Sequence, residues 1–169
     1  QTAVYEYLES EVLWDVMRGN LSELDFWTAK AQEMNIPEEA VKQYLLVQTA
    51  HAQLDSKVLA HMERLKGNYK LGILSNAGNT TRALLEGQYH LHELVDDIVI
   101  SAEEGLVKPE REIYQLSARR LGTEPERCVF VDDLPENIQA AESLGMRGVL
   151  FTDAESSLAL LDALLAQGD

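Results

Sequence analysis

An internal disulfide is impossible here, because the chain holds a single cysteine, Cys128. With no second thiol to pair with, a reducing cytoplasm is the expected setting. The run Cys128-Val129-Phe130-Val131 reads as a buried strand in which the thiol serves as a small hydrophobe. No histidine stands close by in sequence to activate it. Long apolar runs are missing too: none approaches the roughly 20 residues that a membrane-spanning helix needs, and no signal-peptide pattern is present. Positive charge is scarce. Against 29 acidic residues stand 14 lysines and arginines, giving a formal net charge of −15 and a pI near 4.6. The long-range field therefore repels nucleic acid, anionic membranes and phosphate esters alike. An anionic substrate has to be drawn in locally, by a lysine, by backbone N–H groups or by a divalent cation.

What is present is enough apolar residue, 46% of 169, to bury one sizeable core and a small accessory layer. The first third reads as helices. Val4, Leu8, Val12, Leu13 and Val16 form a stripe over residues 3–18 that Gly19-Asn20 ends. A second helix is expected from Ser22 through Phe26, Trp27 and Ala31 to Met34, and a third opens at Pro37 and carries Val41, Tyr44, Leu45 and Val47. These helices would pack as a small bundle with Trp14 and Trp27 in its core. From about residue 55 the pattern alternates. Helices are expected over 55–66, 79–87, 110–121, 135–144 and 154–166, with strands at 70–74, 94–100, 127–131 and 148–151. Short apolar strands separated by helices indicate a parallel sheet with right-handed crossovers, and ligands in such sheets sit at the carboxyl ends of the strands.

Three strand ends carry chemistry. Leu74 is followed by Ser75-Asn76 and then Ala77-Gly78 at an expected helix start, which suits either a simple N-cap or the holding of a phosphoryl oxygen. Lys108 precedes Pro109 at the opening of the helix from Glu110; it is either a solvated surface group or an ammonium aimed by a rigid turn at a charged centre. Asp132-Asp133 ends the strand Val129-Phe130-Val131. Adjacent carboxylates disfavour one another unless a cation or water relieves them; magnesium takes one or two carboxylates plus substrate oxygens and water, while capping by Asp133 is the plainer alternative. His90 and His92 flank Leu91 with no third ligand at short spacing and read as solvated loop residues.

Strand–Ser75-Asn76, then Val107-Lys108-Pro109, then strand–Asp132-Asp133 with Asn137 downstream resembles, in this order and spacing, motifs two, three and four of the haloacid dehalogenase (HAD) superfamily. The stretch Val131 to Ala141 with Leu144-Gly145-Met146 looks like its fourth motif and the helix that follows. Within the superfamily the chain is most similar to small phosphatases near the α-glucose-1-phosphatase and epoxide-hydrolase N-terminal-domain groups. The resemblance implies an α/β fold: a HAD-like Rossmannoid parallel sheet flanked by helices, residues 53–169, with a small helical-bundle cap, residues 1–52. It implies that Ser75 and Asn76 bind the transferring phosphoryl group, that Lys108 neutralises charge, that Asp132 and Asp133 hold Mg²⁺, and that Asn137 supports their loop. The implied substrate is a small phosphorylated metabolite, with sugar phosphates as the default. Phosphoryl transfer needs positioning and charge neutralisation more than bond-making groups, which fits these residue types.

The family's nucleophile is an aspartate in an Asp-x-Asp motif ending its first strand, and no Asp-x-Asp occurs among the 169 residues. Asp96-Asp97 precede a strand, Asp15 and Asp25 lie in expected helices, and Asp153 follows the last strand. The expectation is a chain that starts inside the cap and lacks the central first strand. Buried backbone left unpaired would be costly, so the gap is expected to be filled by another segment, closed up, or covered by a partner chain as a homo-oligomer. The chain as given is expected to be inactive and to bind divalent metal weakly, with Ser75, Lys108 and Asp132 converging at one edge of the sheet. Adjacent Asp132-Asp133 argues against dehalogenase chemistry, and the acid pair comes too late in the chain for a response-regulator receiver. The competing reading is a catalytically dead HAD-like binding or oligomerisation module.

Overall fold

A computed structural model describes residues 11–33, 35–37, 39, 40, 43 and 54–167. Its elements are α1 (Glu11–Met17), α2 (Glu23–Glu33), α3 (Ser56–Leu65), β1 (Gly72–Ser75), α4 (Thr81–Ala83), β2 (Asp97–Ile100), α5 (Ser101–Glu104), α6 (Arg111–Arg120), β3 (Val129–Asp132), α7 (Pro135–Glu142), β4 (Arg147–Leu150) and α8 (Ala154–Leu165). The expected third helix falls mostly on residues outside the described ones, as do Val4 and Leu8. The chain divides into two compact units, one of residues 1–53, 75–90 and 100–107 and the other of residues 54–74, 91–99 and 108–169.

In the second unit β3 and β4 run parallel, Val129 opposite Arg147 and Asp132 opposite Leu150. Connecting two parallel strands requires a crossover, and α7 supplies it. Pro135 stands in the first turn of α7, where a missing N–H costs nothing; the helix buries Ile138 and Ala141 on one side. Gly148 lets that helix lie directly on β4, since a Cβ there would stand 2.5 Å from Ile138 Cγ2. Asp55 caps α3 by accepting from the N–H groups of Lys57 and Val58, and Asp153 caps α8 by accepting from that of Ser156, each cap contributing about 1 kcal/mol. Arg64 on α3 donates to both oxygens of Asp162 on α8 at 2.8 Å. Ile113, Tyr114, Ala141 and Val149 are completely buried at the centre of this unit.

β1 pairs with β2, and β3 with β4, as separate two-stranded sheets. Among the described residues β1 and β3 therefore do not pair. Asp96 sets the start of the first pair: it accepts from Leu71 N–H at 2.9 Å and Lys70 Nζ at 2.6 Å, while its own N–H reaches Leu71 O at 2.7 Å.

In the first unit α1 buries Val16, and α2 buries Phe26 and Ala31. Gly19, at φ 74°, closes α1 against α5; a Cβ there would lie 2.1 Å from the Ala102 carbonyl oxygen. Several local expectations are corrected. Trp14 is 41% exposed rather than core, because two residues of helix turn it to roughly the opposite side from buried Val16; Trp27 is half-buried against the edge of Phe26. The helix expected from residue 79 opens at Thr81 and passes after Ala83 into a π turn, Leu84–Gln88. Leu94 and Val95 precede β2 because their N–H groups turn back to Leu91 O. Cys128 is half-buried just before β3, with Sγ 3.4 Å from Glu124 O. α5 was not anticipated at all.

Candidate active site

Asp132 is the last residue of β3 and is almost wholly buried, its side chain 6% exposed. A carboxylate so placed needs partners, and among the described residues it has three. Lys108 Nζ donates to Oδ2 at 2.6 Å. The Leu134 N–H and Asn137 Nδ2 both donate to Oδ1, each at 2.9 Å. Burial pushes the Asp132 carboxyl up, but the bonds from Lys108, Asn137 and Leu134, with the lysine's charge, outweigh it and hold the group below the ordinary carboxylate value.

Lys108 is itself buried, with 11% of its side chain exposed. It lies 5.7 Å over the Phe130 ring, so its charge is met by a carboxylate and by an aromatic face. Phe130 in turn meets Tyr114 edge-on at 5.1 Å. Tyr114 is fully buried and donates its hydroxyl to Asn137 O at 3.1 Å. Its phenol is pushed well up by burial and then by the charges of Asp132 and Glu136, which keeps the proton on the oxygen as a donor. Lys108, Asp132 and Asn137, expected from the sequence as site residues, are in contact, and Tyr114 and Phe130, which the sequence does not single out, pack against them. Both look like ordinary core aromatics in the sequence, and only packing shows what they support.

Asp133, next in the chain, is exposed. Ser75 ends β1 and, like Asn76, is half-buried; both belong to the first unit. After them Ala77 is held by Ser101, which accepts from its N–H at 3.0 Å and donates to its carbonyl at 3.2 Å. Thus the structure brings Lys108, Asp132 and Asn137 into contact, sets Asp133 beside them, and carries Ser75 and Asn76 on the other unit. The remaining aspartates named as alternatives serve the fold. Asp15 accepts from Asn20, Asp25 from Ser22; Asp96 anchors β1, Asp97 opens β2 and Asp153 caps α8. His90 and His92 are both exposed, and among the described residues no three His, Cys, Asp or Glu side chains gather as a metal site.

The donor set suits magnesium in kind. A carboxylate oxygen has two lone-pair directions; among the described residues Asp132 Oδ1 accepts from Leu134 and Asn137, and Oδ2 from Lys108, which suits Oδ2 better than Oδ1 to a cation. With exposed Asp133 this supplies hard oxygen ligands in the number that magnesium commonly takes from protein, the rest being water and substrate.

Residues 5–145 match the family of haloacid dehalogenase-like hydrolases, and the chain belongs to that family. The relatives include phosphatases, in keeping with the phosphatase branch. A sesquiterpene phosphatase of Aspergillus oryzae is 26% identical over 87% of this chain and 76% of its own length. A phosphatase of Mycobacterium tuberculosis is 31% identical over 75% of this chain and 59% of its own length. The chain spans 28% of a drimenol cyclase of Aspergillus calidoustus, with 29% identity. In fold it is similar to a HAD-like family hydrolase from Porphyromonas gingivalis, with a TM-score of 0.80 at 24% identity over 96% of this chain and 82% of that one. It is similar also to a HAD family enzyme from Bacteroides thetaiotaomicron in complex with magnesium and inorganic phosphate, with a TM-score of 0.77 at 17% identity over 95% and 84% of the two chains. No described helix is long and apolar enough to cross a membrane.

Proposed function

We propose that this chain carries the supporting machinery of a magnesium-dependent phosphatase of small phosphomonoesters, the nucleophilic aspartate not being among its residues. The reading rests above all on the buried Lys108–Asp132 pair at 2.6 Å, braced by Asn137. A buried ion pair is weak as a source of stability, and its place at the carboxyl end of β3 suits a role in chemistry. Ser75 and Asn76 bind phosphoryl oxygens. Lys108 neutralises charge on the phosphoryl group and on the attacking carboxylate. Asp132 and Asp133 hold magnesium, with Asn137 and the Leu134 N–H fixing the orientation of Asp132; the ion supplies charge neutralisation at the phosphoryl oxygens. Residues 1–52 act as the cap and 53–169 as the core, in a cytoplasmic protein. Val131, Leu134 and Leu150, all exposed around the ends of β3 and β4, offer apolar surface for the family's first strand or for a second copy.

None of these residues is a positioned nucleophile, and groups that act as a unit lose their value together. The test is hydrolysis of p-nitrophenyl phosphate and a sugar phosphate with Mg²⁺, comparing this chain with one extended by an N-terminal strand bearing Asp-x-Asp. Activity in the extended chain alone is expected. Robust turnover by the unextended chain, abolished by Asp133→Asn, would mean that the nucleophile has been misplaced; inactivity of both would favour a binding module.

A further inference from the structure

We infer that Ser101 is the positioning residue for the phosphoryl-binding segment Ser75-Asn76-Ala77, an inference that rests on the phosphatase reading above. Ser101 follows the last residue of β2 and is completely buried, beside the equally buried Ile100. A buried hydroxyl without partners is costly, and this one spends both its capacities on a single residue. Its Oγ accepts from the Ala77 N–H at 3.0 Å and donates to the Ala77 carbonyl at 3.2 Å. The Ala102 N–H reaches the same carbonyl at 3.3 Å.

The consequence is geometric. The Ala77 N–H belongs to the peptide plane shared with Asn76, and the Ala77 carbonyl to the plane shared with Gly78. Fixing both fixes the torsions of Ala77 and the direction in which the chain leaves Asn76. The strand pairing of β1 holds the segment on its other side, at Ser75. Ser75 and Asn76 are therefore presented from a stretch of backbone pinned at both ends. Side chains that must meet phosphoryl oxygens gain from such support, because a misplacement of about 1 Å costs roughly a hundredfold in rate.

Serine is suited to this clamp. Alanine would leave the Ala77 N–H and carbonyl without the hydroxyl, cysteine would keep the volume but offer only a weak donor and acceptor, and threonine would bring an extra methyl into a fully packed position.

The experiment uses the full chain with inorganic phosphate and Mg²⁺ as probe, followed by ³¹P and amide NMR. Ser101→Ala and Ser101→Cys are each expected to weaken phosphate binding about tenfold and to speed exchange of the Ala77 amide. Val99→Ala, which removes equally buried bulk from β2, is expected to lower stability without that loss of affinity. In a Ser75→Ala background, Ser101→Ala is expected to add little further loss, since the two residues act as one unit. Full additivity of Ser75→Ala and Ser101→Ala would overturn the inference, as would a loss of affinity in Val99→Ala matching that in Ser101→Ala. Phosphate binding weakened by Ser75→Ala but untouched by Ser101→Ala would overturn the positioning role and leave the phosphatase reading standing. A wild-type chain that binds no phosphate would sink that reading, and this inference with it.

Discussion

Asp132 and Lys108 bury opposite charges side by side, and the consequences of separating them are unequal. In Asp132→Asn the amide oxygen can still accept from Leu134 and Asn137, but the buried Lys108 ammonium no longer has the Asp132 carboxylate at 2.6 Å. Removing one member of a buried pair costs about 3–5 kcal/mol. Urea denaturation should show a loss of that order for Asp132→Asn, with part of it restored in Asp132→Asn/Lys108→Met, where the buried ammonium is removed together with its carboxylate. A double variant no more stable than the single one would mean that lost hydrogen bonding, rather than the buried lysine charge, dominates. His61 makes a second residue-scale prediction. It is buried on α3 beside Arg64 and Asp162; burial lowers its pKa from 6.5, Asp162 opposes that shift, and Arg64 adds to it. The folded state thus binds this proton less readily than the unfolded chain, so the contribution is intact above the unfolded value and is lost as pH falls below about 6.5. Unfolding free energies measured between about pH 7.5 and 5.5 should decline toward the acid side, and His61→Asn should flatten that slope.

Gly148 shows how one element depends on another. In Gly148→Ala the new methyl would stand 2.5 Å from Ile138 Cγ2 and 2.8 Å from Glu142 Oε1; the glutamate can swing aside, but relieving the branched isoleucine is expected to push α7 away from β4. Overpacking of this kind costs about 1–3 kcal/mol. Because α7 also carries Asn137, whose amide braces Asp132, the shift should reach the site. The expected outcome is a lower urea midpoint together with displaced amide resonances at Leu134 and Asn137; displaced resonances confined to Glu142 and Gly148 would show that α7 absorbs the strain locally.

The whole molecule repels the ligand it is proposed to bind. A net charge of −15 acts over tens of ångströms, whereas Lys108 acts on a phosphate at contact. Salt screens the first more than the second, since the Debye length shrinks from about 30 Å at 0.01 M to about 8 Å at 0.15 M ionic strength. Inorganic phosphate should therefore bind more tightly at the higher ionic strength set with potassium chloride, and weaker binding by NMR titration would show that local attraction, rather than the global field, is what salt screens.

How much of this was legible beforehand follows from the range of each interaction. Alternating apolar strands and helices, with Ser75, Lys108 and Asp132-Asp133 at their ends, are local patterns, and they were enough to identify the family and its phosphatase branch. Asn137 was readable for the same reason, five residues along from Asp132 in a recognisable helix start. Contacts between distant segments were decided only in the folded chain. Tyr114 supporting Asn137, Phe130 beneath Lys108, and Ser101 gripping Ala77 join segments far apart in the chain, and nothing in the sequence around Tyr114, Phe130 or Ser101 marks those pairings. Trp14 went to the surface because helical phase, not hydrophobicity alone, selects the buried side. The sequence by itself determined which chemical groups are available and in what order the strands deliver them. Tertiary structure decided which of those groups are buried, paired and held in place, because burial and hydrogen-bond partnership are properties of neighbours in space.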